Sequence, residues 1–421
     1  MAAASQYAES SAIFAPLHSA PAPAKRLVAF DGLRGICALM VLFHHLLLTQ
    51  PLFANFEWHR PQTANYGWGD WLLLRTPLHL LWAGQERALL FFVLSGYVLS
   101  LPWLDGRAAP YGRYLLGRLC RIYPPYAIAM ALAAAGSFLL GGDKIPAASV
   151  YFNELGWAFQ PGWGALPSIA AVMNNHSSEY MNEAVWSLVW EVRVAIIYPL
   201  LILPAVRWRN AGIAATLIAL FFCTEIVHRL FSQRLEVLLN VPENTFYFAQ
   251  YFVFGIAISL NRARISQFGT QWGGWLGVGA VTLGCLICWL PWPVEHDRLV
   301  GVGAAIILAG ILGSDRMQAW LTNRPLLWLG RQSYSLFLIH VPLLMVVVIA
   351  FGGNVPLVAF CAIVPAIILC AELFRRCVEM PSVALAQRLT GYSRPSAGRS
   401  RPAVDGQLKS NVKVGTLEAG L

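Results

Sequence analysis

The stretch FDGLRGICALMVLFHH, residues 30–45, sets ionisable groups inside an apolar run: Arg34 near its start, His44 and His45 at its end. Imidazole is the side chain best matched to proton transfer near neutral pH, and guanidinium is matched to phosphate or carboxylate. Arg34 and His45 are eleven residues apart. On a helix that spacing brings them within about 20° of one face and about 16 Å apart along the axis. His44 points about 100° away and reads as a histidine hydrogen-bonded within the bundle, in a role separate from that of His45. An ionisable group at membrane depth is costly, so each one is a functional candidate.

Further candidates follow along the chain. RYLLGRLCRIYPPY, residues 113–126, puts Arg118 and Arg121 on one helix face. Two readings fit them: a clamp for a ligand with several phosphates, or anchoring at the cytoplasmic boundary. AVWSLVWEVRVAIIYPLL, residues 184–201, holds Glu191 and Arg193, which point in different directions and so need partners elsewhere. Glu191 can orient a histidine, brace an arginine, or belong to a structural ion pair. FFVLSGY contributes Ser95 and Tyr97, and LGRQSYSLFLIHVPL contributes Tyr334 and His340. With Trp186 these are the candidate substrate-lining side chains, helix packing being their alternative role. Cys285 and Cys288 form a lone CxxC in an apolar run and read as packing, so no metal site is expected.

Long apolar helices must position these groups. The 421 residues are 57% hydrophobic and 12% charged, with mean hydropathy +0.56, far outside the soluble range. Roughly ten apolar windows of about 20 residues can be placed along the chain. Barrel strands would instead alternate over about 10 residues. The expected fold is all-α, a polytopic transmembrane helical bundle of about ten spans. The net charge of +9 invites a nucleic-acid partner, but most Lys and Arg fall on alternate loops. That is the positive-inside pattern for an even span count with both termini cytoplasmic, and no nucleic-acid partner is expected.

One membrane domain is expected over residues 26–390. A disordered cytoplasmic tail at 1–25, without the pattern of a secretory signal, precedes it, and a disordered basic tail at 391–421 follows. Residues 142–184 mix Trp, Phe and Pro with polar side chains and read as a cap over a cavity or an interfacial belt. They include a glycosylation sequon at 175–177. Trp58, Trp68, Trp71, Trp157 and Trp163 can stack on sugar faces or mark the membrane interface.

In their order and spacing, FDGLRGICALMVLFHH, FFVLSGY, RLCRIYPP, WSLVWE and LGRQSYSLFLIHVPL resemble the acyltransferase type 3 family of integral membrane acyltransferases, which includes bacterial O-antigen and polysaccharide O-acetylases. The resemblance covers nearly the whole membrane domain. It implies transfer of an acyl group, usually acetyl, from a coenzyme A thioester in the cytoplasm to a hydroxyl. Acetyl-CoA is then the co-substrate, a carbohydrate or glycolipid the acceptor, membrane lipid the surroundings, and a bacterial inner membrane the location; a homo-oligomer stays open. The family's essential Arg and His map onto Arg34 and His45, and its Arg-x-x-Arg onto Arg118 and Arg121. The expected scheme has those three arginines holding the coenzyme A phosphates. His45 acts as general base or as acyl-carrying nucleophile, with Glu191 fixing its tautomer or positioning an arginine. Here the family's tryptophan motif reads WSLVWEVRV, so only Glu191 carries over and Arg193 is local to this chain. A transporter or flippase using the buried His, Arg and Glu as a proton or anion pathway is the alternative class.

Overall fold

The computed structural model describes residues 24–59, 67–82, 84–158, 180–231, 236–272, 274–290 and 296–391. Residues 1–23, the basic tail from 392, Trp163, the sequon at 175–177 and the side chain of Trp58 lie outside the described residues. Within the described residues the regular structure is helical. In chain order the helices are α1 (Ala24–Leu48), α2 (Pro51–His59), α3 (Trp68–Arg75), α4 (Gly84–Leu104), α5 (Tyr111–Leu140), α6 (Val150–Leu155) and α7 (Trp186–Phe231). They continue with α8 (Glu236–Leu260), α9 (Arg262–Gln271), α10 (Trp275–Trp289), α11 (His296–Leu312), α12 (Asp315–Leu321), α13 (Arg324–Ala350), α14 (Phe360–Phe374) and α15 (Met380–Thr390). A 3-10 turn, Glu183–Val185, leads into α7.

Six helices are long and apolar enough to cross a membrane, or up to eight if each bent pair, α9 with α10 and α11 with α12, is one span. That is fewer than the ten windows of the sequence, in part because one long helix is bent. Helix α7 runs 46 residues with non-helical angles at Arg209 (φ 55°, ψ −128°). Unbroken, it would be about 69 Å long, over twice the hydrocarbon thickness. A Cβ built on Gly212 would stand 2.0 Å from the Pro204 carbonyl oxygen. Residues eight apart on a straight helix are separated by about 12 Å. The chain therefore folds back on itself between them.

Polar contacts show which turns share an end of the bundle. Asn261 donates to Asn210 at 2.9 Å, and Arg262 donates to Asp105 at 2.6 Å. The turns after α4, within α7 and after α8 thus lie together. The start of α5 and the Arg34 end of α1 open into a cavity at this same end.

The crossing of α1 and α13 sets the site. A Cβ on Gly330 would lie 1.9 Å from the Asp31 carbonyl oxygen, and one on Gly35 would lie 2.7 Å from the Gly330 nitrogen. Only glycine lets the two backbones touch here, the usual device where lipid supplies no hydrophobic drive between helices. Ten residues beyond Gly35 stands His45, and ten beyond Gly330 stands His340. The helices run parallel, so an equal rise of about 15 Å brings both histidines to one level. Gly330→Ala is expected to force the backbones apart, costing about 1–3 kcal/mol and lowering the unfolding temperature in detergent. An unchanged melting curve would remove the crossing from this role.

Candidate active site

The two histidines meet as the crossing requires. His340 Nε2 is 3.0 Å from His45 Nδ1, and both rings are buried. His340 Nδ1 lies 2.9 Å from the Leu336 carbonyl oxygen, which can only accept, so this nitrogen carries the proton. In the neutral ring Nε2 then has a lone pair. His45 Nδ1–H donates toward it, sharing its hydrogen with the Val41 carbonyl at 2.9 Å. The chain of donors leaves the His45 Nε2 lone pair facing Glu183, whose Oε2 is 3.5 Å away.

Glu183 is held there by its neighbours. Asn182 Nδ2 donates to the Leu338 carbonyl at 2.8 Å. That carbonyl is free because Pro342, four residues on, has no N–H to return. Trp157 Nε1 donates to the Met181 carbonyl at 3.0 Å. The 3-10 turn is thereby clamped to α13 two residues before His340. The Tyr151 ring centroid lies 6.0 Å from that of His45. Burial and the Glu183 charge hold the Tyr151 phenol well above its ordinary pKa, so it stays a protonated donor.

His44, His45, Glu57, Glu183, Trp186 and Ser187 line a cavity of about 540 Å3, the histidine chamber. A second cavity of about 550 Å3, the arginine chamber, takes in Arg34, Arg113, Arg118, Arg121, Arg331 and Arg375, against the carboxylates of Asp31, Glu191 and Glu379. Three residues line both cavities: Phe91, Ser187 and Phe337. They form a thin partition between a strongly cationic space and a histidine–carboxylate site.

The sequence candidates sort between these spaces. Arg34, Arg118 and Arg121 come together in the arginine chamber with Ser95, Glu191 and Tyr334. Glu191 accepts from Arg118 Nη2 at 2.7 Å and from Ser95 Oγ at 3.4 Å, so it braces an arginine. The carboxylate beside His45 is Glu183. The Tyr334 hydroxyl donates to the Ile122 carbonyl at 2.9 Å, and Trp186 faces the histidine chamber. Tyr97 and His340 line neither cavity. Tyr97 is buried with its ring edge against Phe30 at 5.0 Å, whereas His340 stands behind His45.

Arg193 takes an aromatic face in place of a carboxylate. Its guanidinium lies 4.6 Å from the Trp190 ring centroid, while its Nε and Nη1 have no hydrogen-bond partner among the described residues. Trp157 is buried and structural, whereas Trp68 and Trp71 are exposed. Glu183, Tyr151 and Asn182 were not singled out in the sequence. Two signals pointed toward them: a carboxylate just ahead of a long apolar helix, and a proline in α13 that releases a carbonyl. Among the described residues no three His, Cys, Asp or Glu are placed to hold a metal ion.

Long apolar helices around a histidine–carboxylate pair, next to an arginine-lined chamber, define a multi-pass membrane protein. The chain belongs to the acyltransferase type 3 family, whose acyltransferase-domain model matches residues 27–375. It is similar to Protein 2 in picA locus of Rhizobium radiobacter, with 28% identity over 186 residues, 42% of this chain and 82% of that protein. It is also similar to the O-acetyltransferase PaAT-1 of Phomopsis amygdali, with 24% identity over 366 residues, 75% of this chain and 71% of that protein. No solved structure matches. Acyl transfer within a membrane is the class of activity this family membership assigns.

Proposed function

We propose that the protein moves an acyl group, acetyl in the simplest case, from acyl-CoA in the arginine chamber to a hydroxyl of a carbohydrate or glycolipid in the histidine chamber. The observation that carries this reading is the meeting of two unlike cavities at Phe91, Ser187 and Phe337. Arginines in excess over carboxylates suit the phosphates of coenzyme A. The flexible arm of coenzyme A spans the ~16 Å between Arg34 and His45. The histidine chamber, lined among the described residues by Glu57 and Glu183 and by no Lys or Arg, suits an uncharged hydroxyl.

In the step itself the His45 Nε2 lone pair takes the hydroxyl proton as the oxygen attacks the thioester carbonyl. A C–O bond forms, the C–S bond breaks, and coenzyme A leaves as thiolate. The proton, held between His45 and Glu183, passes to the sulfur. One hydroxyl and one thioester thus become one ester and one thiol. His340 keeps the His45 tautomer that presents Nε2 to the hydroxyl.

The topology that goes with this reading has ten crossings and cytoplasmic termini. Reading the folded α7 as two crossings and α8 as one brings the total to ten. The end that gathers Arg34, Arg118 and Arg262 then faces the cytoplasm of a bacterial inner membrane, as the positive-inside rule requires.

The test is acetyl-CoA binding by purified protein in nanodiscs. Arg34→Ala and Arg121→Ala should each weaken binding by about 10- to 100-fold, the range for a charge-assisted contact. Wild-type affinity in both variants would sink the donor assignment.

A further inference from the structure

His44 is placed by more structure than a packing residue needs. Its Nδ1 is 2.8 Å from the Trp82 carbonyl oxygen, and its ring stacks on the Trp82 indole at 15°, with centroids 6.0 Å apart. Trp82 is fixed in turn: it is 1% exposed, packs with Phe53, Phe56 and Leu74, and donates from Nε1 to the Leu73 carbonyl at 3.1 Å. On the other side a Cβ on Gly84 would lie 2.4 Å from His44 Cδ2. Glycine is therefore required for the ring to occupy this position.

The carbonyl oxygen can only accept, so the His44 proton sits on Nδ1 and the neutral ring keeps its lone pair on Nε2. That nitrogen has no hydrogen-bond partner among the described residues, although His44 is only 8% exposed and lines the histidine chamber. The His44 and His45 rings meet edge to face at 5.0 Å. A buried acceptor opening onto a reaction chamber beside the base calls for a donor from whatever fills it.

We infer that His44 Nε2 is the acceptor-side binding group, receiving a hydrogen bond from a second hydroxyl of a polyol while His45 takes the proton of the first. Two neighbouring hydroxyls on one sugar ring present donors to two neighbouring imidazoles, so the ligand class is a vicinal diol, as on a saccharide. This inference rests on the acyl-transfer reading above. His44 moves no proton in the reaction and acts on acceptor affinity.

Three substitutions separate binding from packing. His44→Asn keeps a donor for the Trp82 carbonyl and removes the group facing the chamber. His44→Gln puts an amide oxygen near the Nε2 position, and His44→Phe keeps ring volume while removing both nitrogens. With octyl glucoside as acceptor and acetyl-CoA as donor, Asn and Phe should raise the KM for octyl glucoside about five- to tenfold, while Gln restores most of it. The KM for acetyl-CoA should stay at the wild-type value in all three. Rescue by Asn and not by Gln would assign His44 to packing and overturn the inference. A 15N spectrum of histidine-labelled wild type adds a readout independent of how the variants fold. His44 Nε2 should appear as the unprotonated nitrogen and move when octyl glucoside is added, and a protonated Nε2 in the neutral ring would also overturn the inference. The wild type and His45→Ala separate the two levels: no transfer from acetyl-CoA by the folded wild type rejects the acyl-transfer reading itself, and transfer surviving in His45→Ala rejects His45 as its base. Transfer lost there, with octyl glucoside KM unchanged in His44→Asn, rejects only the role of His44.

Discussion

His45→Ala is expected to lower acetyl transfer by about 10²–10⁴-fold, the range for removing a positioned general base, while acetyl-CoA still binds with wild-type affinity. The side chain borders an existing cavity, so truncation enlarges that space and does not open a new void in the core. Membrane levels and melting temperature should stay near wild type. On the proposed reading the donor is held in the arginine chamber, on the far side of the Phe91–Ser187–Phe337 partition, so the two readouts should separate. Substantial transfer by a folded His45→Ala protein would remove His45 from the chemistry. A covalent acyl-histidine route is distinguished by the same preparation: a burst of thiol release without acceptor, together with ping-pong kinetics, would favour it over direct transfer.

The second large effect is expected at Glu183, with Glu191 as its control. Glu183→Gln keeps shape but removes the charge 3.5 Å from His45 Nε2, so the proton taken from the hydroxyl loses its partner. We expect kcat to fall about 10²-fold, at the lower end of acid–base contributions, with the KM for acetyl-CoA unchanged. Glu191→Gln instead loosens Arg118, held at 2.7 Å, and should raise the donor KM about tenfold. The opposite pattern would return the acid–base role to Glu191.

These two carboxylates show how far the sequence could be read. Glu191 stood out because it lies within an apolar run, where a charge is anomalous by composition alone. Glu183 closes the mostly polar stretch HSSEYMNE, where a carboxylate looks ordinary. Its value comes from two hydrogen bonds that dock the turn on α13 and on Trp157. One of these uses a carbonyl that Pro342 leaves free, a contact between residues 156 positions apart. No local pattern encodes that distance. His44 is the buried, hydrogen-bonded histidine that the sequence suggested, bound to the Trp82 carbonyl at 2.8 Å. Its separation from the His45 face is correct on a helical wheel, but the chamber is wide enough to take in both.

Helix geometry is local: 3.6 residues per turn follows from the backbone. The sequence by itself therefore determined the membrane class, the helical content and the alignment of Arg34 with His45 on one face. It also determined the pairing of Arg118 and Arg121 on another. The tertiary structure alone decided which helices cross and at what level. Contact of Gly35 with Gly330 sets His340 behind His45, and the fold-back of α7 turns one long apolar run into two legs. The docked turn brings Glu183 in place of Glu191 to His45. Each of these depends on close approach between distant segments, which packing selects and a one-dimensional period does not express.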